Sequence, residues 1–264
     1  MVGRGGGAPL ISLTTDFGTT DPFVGIMKGV IASRAPGATV VDVSHGIPAQ
    51  NVLAGALVLR AAAPYFPRGT IHVAVVDPGV GTDRRAVCIE TTAACFVGPD
   101  NGVLSLAAPA DRVRRIVELE NPRFHLSPRS RTFDGRDVFA PVAAALETGT
   151  GVPDLGPERT DLVRVSLPAP VRDAATIRGE VVYVDGFGNL ATNIEARDLP
   201  SAVARVEVAG RRIDALSPTY GAVASGAAVA LVNSWGVVEI AVRDGNARAT
   251  LGIGVGAPVV VVRA

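Results

Sequence analysis

The sequence predicts an N-terminal α/β domain with a largely parallel sheet over residues 8–168 and a C-terminal all-β barrel domain over residues 176–264. Three observations lead there. To about residue 165, apolar runs of strand length alternate with stretches of helical periodicity, the pattern of a sheet covered on both faces. A stretch rich in Pro and charge, without sustained period, then marks a linker near 166–175. Beyond it the texture changes to short β-type runs separated by Gly, Asn and Asp. At 264 residues and 48% hydrophobic content the chain can bury both cores.

In chain order, PLISLTT at 9–15 reads as a buried strand. Asp21 is expected to cap a helix with Pro22 in its first position, FVGIMKGVIASR, stopped by Pro36 and Gly37. ATVVDVS at 38–44 is a second strand, and NVLAGALVLRAAAPYF at 51–66 carries helical spacing. TIHVAVV at 70–76 is a third strand, ending at Asp77, Pro78 and Gly79. DVFAPVAAALETG at 137–149 is a further helix, with Asp137 at its positive end. After the linker, TIRGEVVYVD, ARVEVAG, RRIDAL, AAVALVNS, VVEIAVR and APVVVVRA read as strands.

Charge and cysteine content narrow the function. Lys plus Arg and Asp plus Glu are 25 each, with no basic stripe, which disfavours nucleic acid and membrane surfaces as partners and suits a small ligand. No run offers the 18 or more apolar residues of a membrane span, and the N-terminal MVGRGGGAP lacks the apolar core of a secretion signal, so a cytoplasmic location is expected. Its glycine run has no side chain to pack and is expected to be mobile. Cys88 in AVCIE reads as a buried free thiol, and with Cys95 it makes no metal cluster.

Asp16 follows one apolar strand and Asp77 another, each at a C-terminal strand end and before a Gly-containing turn. Ligands collect at that edge of an open α/β sheet, so both can face one crevice; alternatively each caps its own turn. In VDPGVGTDRR, Gly79 and Gly81 allow close backbone approach, and Arg84 or Arg85 can reach back to Asp77. GPDNG at 98–102 reads as a tight turn, and VDGFGNLATN, with Asp185, Asn189 and Asn193, as a hairpin loop. Trp235 is either a core anchor or a stacking surface. His45, His72 and His125 show no ligand spacing: His72 reads as a core residue, His45 as a turn residue and His125 as a solvated loop position. No GxSxG elbow exists, so zinc and serine hydrolases are disfavoured.

Taken together, LTTDFG at 13–18, VDPGVGT at 76–82, GPDNG at 98–102, TFDGRDVFAP at 132–141, DGFGNLATNI at 185–194 and NSWGVVEIAVRDGNA at 233–247 closely resemble the S-adenosylmethionine hydroxide adenosyltransferase family. These are S-adenosyl-L-methionine hydrolases (adenosine-forming), related to fluorinase and chlorinase. The resemblance implies a homotrimer with sites between the N-terminal domain of one subunit and the C-terminal domain of its neighbour. It implies no metal and no cofactor, S-adenosylmethionine being the substrate, split into adenosine and L-methionine. It assigns Asp16 to the ribose hydroxyls, Asp185 and Asn189 to the methionine ammonium and carboxylate with Ser234 close by, and Tyr220 to stacking on adenine. The backbone at Asn246 and Ala247 would read the adenine edge, and Phe133 joins the substrate-binding set.

For the nucleophile the family uses Asp, Arg and His. Asp77 and Arg84 match the first two, while the third, the His of TFHGRD, is Asp134 here. A water nucleophile tolerates carboxylates, and Asp77 and Asp134 are expected to share a proton beside Arg84. Halogenases carry Tyr in place of Asp77, and two carboxylates would repel a halide by roughly several kcal/mol in a partly buried site. The expectation is therefore a hydrolase with an altered base. A chlorinase-like halogenase, or a weakly active or silent binder of S-adenosylmethionine or adenosine, are the alternatives, since a lost base costs about 10² to 10⁴ in rate.

Overall fold

The structure is a computed structural model that describes residues 10–264; the glycine run expected to be mobile lies outside the described residues. The chain divides into two compact units, one ending at Val165 and the other beginning at Ser166.

The first unit runs β1 (Leu10–Thr15), α1 (Phe23–Arg34), β2 (Thr39–Ser44), α2 (Val52–Ala62), β3 (Ile71–Val75), β4 (Ala86–Thr91), β5 (Cys95–Pro99), β6 (Val113–Glu118), α3 (Ala140–Glu147) and β7 (Glu158–Arg159). Its sheet has the order β2-β1-β3-β5-β4-β6-β7. Pairing is parallel from β2 through β5 and antiparallel from there to β7, so the sheet is mixed, with its parallel half at the β2 end. The near-complete burial of β1 and β3 follows from their central place, with both faces covered. Helix α1 buries Val24, Met27 and Ile31 at helical spacing, and Met27 and Ile31 join Ile11, Leu13, Val73 and Phe139 in the core.

Two cap expectations change. Pro22, not Asp21, is the residue preceding α1, and no side chain caps that helix. Asp137 is fully buried and caps nothing: it accepts Ser130 N at 2.7 Å and pairs with Arg136 at 2.6 Å, inside a π-helical turn over Gly135–Phe139 that leads into α3. Such turns open the helix locally and collect at functional sites. His72 behaves as a core histidine, with Nδ1 2.7 Å from Ser12 Oγ and its ring stacked on Phe96.

The second unit contains β8 (Val171–Arg172), β9 (Thr176–Val184), β10 (Leu190–Glu195), β11 (Val203–Val208), β12 (Arg211–Asp214), β13 (Ala228–Val232), β14 (Val237–Val242), α4 (Ala247–Leu251) and β15 (Pro258–Arg263). Every pairing is antiparallel, in the order β12-β11-β15-β9-β10-β14-β13 with β8 beside β9, and the edge strands β12 and β13 approach each other to nearly close a barrel. Inward residues Ile177, Val181, Leu190, Val206, Ile240 and Val261 fill it.

Candidate active site

In the first unit the chain gathers carboxylates where the parallel strands end. Thr15 of β1 lies opposite Val75 of β3, so Asp16 and Asp77 emerge side by side, and both line one cavity of about 390 Å³. Phe17, Asp21, Phe23, Gln50, Thr132, Phe133 and Asp134 complete most of its wall. Phe17, Phe23 and Phe133 pack on one another with centroids 5.3–5.9 Å apart, giving the cavity an aromatic side. Asp16 Oδ2 accepts Gln50 N at 2.7 Å, which fixes its carboxylate, and among the described residues Oδ1 has no hydrogen-bond donor.

The loop after β3 folds Arg84 back onto Asp77. Thr82 Oγ1 donates to Gly79 O at 2.6 Å, and Gly81 sits at φ 81°, where a Cβ would come within 2.7 Å of Arg131 O. Arg84 Nε then lies 3.0 Å from both Asp77 oxygens, and its Nη2 makes a short contact with Asp77 Oδ2. The same Nη2 reaches Asp134 Oδ2 at 2.6 Å, while the guanidinium lies 5.6 Å over the Phe139 ring. Burial alone would lower the Arg84 pKa, but the bonds and charges of Asp77 and then Asp134 outweigh it and hold the guanidinium charged. Among the described residues no hydrogen bond joins Asp77 to Asp134 directly; the guanidinium stands where a shared proton was expected.

A second arginine completes the group. Arg129 gives Nε and Nη2 to Asp134 Oδ1 at 3.1 and 2.8 Å. The sequence reading missed it, although a buried Asp in TFDGRD called for a counter-charge and SPRSRTF offers arginines within a few residues. Arg85, the other candidate partner for Asp77, goes instead to Asp100 and Asp161, which ties down the GPDNG turn. His45 joins its turn to β1, Nδ1 lying 2.8 Å from Thr15 Oγ1.

The second unit carries its own cavity, about 910 Å³, lined by Asp185, Asn189, Tyr220 and Ser234 together with Tyr183, Asn233, Trp235 and Glu239. Asp185 closes the β9–β10 hairpin by accepting Phe187 N, Asn189 N and Asn189 Nδ2. Trp235 resolves as a cavity wall, its half-buried ring 5.0 Å from that of Tyr183. Glu239, 4% exposed, accepts Tyr220 Oη–H at 2.7 Å and Asn233 Nδ2 at 2.8 Å. Burial and then the Glu239 bond push the Tyr220 phenol pKa up, so it stays a donor. Asn246 and Ala247 do not line this cavity: the Asn246 side chain caps α4 through Ala249 N at 2.8 Å, and Ala247 is buried in the barrel core. Among the described residues no group of three His, Cys, Asp or Glu is placed to hold a metal, and no helix is long and apolar enough to cross a membrane.

Comparison with known proteins places both units in one family. The model of the SAM hydroxide adenosyltransferase N-terminal domain matches residues 11–156, and that of the C-terminal domain matches residues 179–260. The chain belongs to the SAM hydroxide adenosyltransferase family. A relative from Thermus thermophilus named (R)-S-adenosyl-L-methionine hydrolase is 43% identical over 252 residues, covering 93% of this chain and 96% of its own. A crystal structure of a conserved protein from Thermotoga maritima superposes with a TM-score of 0.89 at 35% identity, covering 96% of this chain and 100% of that one. A protein named fluorinase from Actinoplanes sp. is more distant, 28% identical over 74% of this chain and 75% of its own.

Proposed function

We propose that this chain is an enzyme that hydrolyses S-adenosyl-L-methionine to adenosine and L-methionine by attack of water or hydroxide on ribose C5′. The observation that carries the reading is the Arg84 guanidinium clamped between Asp77 and Asp134, two carboxylates that line one cavity together with Asp16. S-adenosylmethionine carries a sulfonium, an ammonium and one carboxylate, so a wall of carboxylates attracts it. In the reaction the C5′–S bond breaks with its electron pair going to sulfur, a C5′–O bond forms, and one proton leaves the water. Sulfonium is already a good leaving group, so we infer that no metal or other cofactor is needed; orientation and a dry nucleophile do most of the work.

Asp77 is the group best placed to take the proton. Among the described residues its Oδ1 accepts from Arg84 Nε alone, which leaves a lone pair for water. Asp16 would orient the ribose through its hydroxyls, with Phe133 packing beside it, and Asp185, Asn189 and Ser234 would hold the methionine end. Tyr220 would stack on adenine. We further infer a homotrimer, each site combining the N-terminal half-site of one subunit with the C-terminal half-site of another. In its support, each unit carries a ligand-sized cavity with aromatic surface left open, Phe187 being 79% exposed. A cytoplasmic location suits the free thiols of Cys88 and Cys95.

The halogenase alternative weakens for a changed reason. The repulsion expected from two bare carboxylates shrinks, because Arg84 and Arg129 neutralise them. What remains against a halide is that the cavity presents acceptors, Asp16, Asp21, Asp77 and Asp134, with the guanidiniums behind them. Incubation with S-adenosylmethionine, with and without excess chloride or fluoride, followed by chromatography, tests the reading: adenosine and methionine are expected in equal amounts. Halo-adenosine as the main product, or thermal stabilisation by adenosine with no product over a day, would overturn it.

A further inference from the structure

We propose that Arg129 is a positioning residue for this reaction: with Asp134 it forms a charged unit that aligns Arg84 on Asp77, and Asp134 itself is not the base. The inference rests on the hydrolase reading above.

Start from the substitution of His by Asp within TFDGRD. A neutral imidazole beside Asp77 and Arg84 leaves that pair balanced, whereas a carboxylate adds a negative charge in a place where its side chain is only 6% exposed. A charge so buried needs a partner of its own, because Arg84 is already committed to Asp77. Arg129 supplies it. The four side chains form a row of alternating sign, Asp77, Arg84, Asp134 and Arg129, whose formal charges cancel. His125 does not supply that charge: burial and then the nearby Arg129 push its pKa down, and among the described residues its buried Nε2 has no hydrogen-bond partner.

The bonding also decides the role of Asp134. Oδ2 is taken by Arg84 and Oδ1 by two nitrogens of Arg129, so protonating Asp134 would undo two ion pairs. Asp77 faces the same cavity, and among the described residues its one ion-pair partner is Arg84, so its protonation undoes one pair rather than two. Asp134 instead shares Arg84 Nη2 with Asp77 Oδ2, and this holds the Nε–Nη2 edge of the guanidinium against Asp77.

Arg129 has a side chain 45% exposed, yet the surrounding loop is not loose. Ser130 N donates to Asp137 Oδ2 at 2.7 Å and Leu126 N to Asp137 O at 2.8 Å, so the buried Asp137 pins the chain on both sides of Arg129. Asp137, which caps no helix, thus serves to hold this loop.

A double-mutant cycle on adenosine release tests the coupling. Arg129→Ala is expected to lower kcat by about 10- to 100-fold with KM within about threefold, because Arg129 lines neither cavity. In an Asp134→His background, where there is no buried charge left to balance, the same change should cost less than about threefold, and Arg129→Lys in the native background should restore part of the loss. Melting curves check folding, and Arg129→Gln repeats the cycle if the alanine variant does not fold. Equal costs in both backgrounds, or an unaffected kcat in Arg129→Ala, would overturn the inference while leaving the hydrolase reading intact. A native protein that releases no adenosine would remove both.

Discussion

Replacing Asp77 by Asn changes one oxygen for a nitrogen and so isolates the charge of the proposed base. Asp77 takes three contacts from Arg84, two from Nε at 3.0 Å and a short one from Nη2. The amide retains one acceptor, so Arg84 keeps part of that bond and all of its 2.6 Å contact with Asp134. The fold should therefore survive with a loss of about 1–3 kcal/mol. Catalysis should suffer more, since an amide cannot take a proton from water at neutral pH. A lost general base costs about 10² to 10⁴ in rate, or about 3–5 kcal/mol of barrier. Substrate affinity should change little, because the ribose and methionine contacts lie elsewhere. Initial rates of adenosine release at saturating S-adenosylmethionine, with calorimetric binding measured alongside, separate the two effects. A kcat within threefold of the native value would refute Asp77 as the base.

Asp16→Ala should act in the opposite sense, raising KM by roughly 30-fold or more through loss of two charge-assisted bonds to the ribose; steady-state kinetics with an unchanged KM would contradict that role. Gly81→Ala forces a Cβ to 2.7 Å from Arg131 O at φ 81°, and should cost about 1–3 kcal/mol in urea unfolding along with activity. Glu239→Ala strands the Tyr220 hydroxyl and Asn233 Nδ2, with an expected loss of about 2–4 kcal/mol by the same measurement. His72 is buried, which lowers its pKa to about 4 from 6.5. The unfolded chain therefore takes up a proton that the folded one refuses, and stability should fall as pH drops from about 6.5 to about 4 and level off below; His72→Phe should remove that slope in pH-dependent unfolding.

The parts of the fold legible in the sequence are those written in consecutive residues. LISLTT and IHVAV are buried on both faces, so they show as mainly apolar runs without a polar, charged face, and the barrel strands show as short runs between turn residues. The antiparallel half of the first sheet was not legible, since β4, β5 and β6 are set by pairings between segments whose own patterns are short. The start of α1 was misplaced because Asp21 and Pro22 carry a cap signal that the chain does not use. Asn246 carried a usable one, being followed by ARATL, but was read only through the family pattern. In the site, Asp16 and Asp77 were paired correctly because both end parallel strands. The tie from Arg84 to Asp134 spans 50 residues and has no local signature. Arg129 was within reach of a simple question: what balances a carboxylate expected to be buried?

The central claim is that an oxygen from water, held at Asp77, replaces sulfur at C5′. Turnover in ¹⁸O-labelled water read by mass spectrometry tests it directly. Adenosine is expected to carry one heavy oxygen at its 5′ position and methionine none. Unlabelled adenosine, or label in the methionine carboxylate alone, would contradict the account.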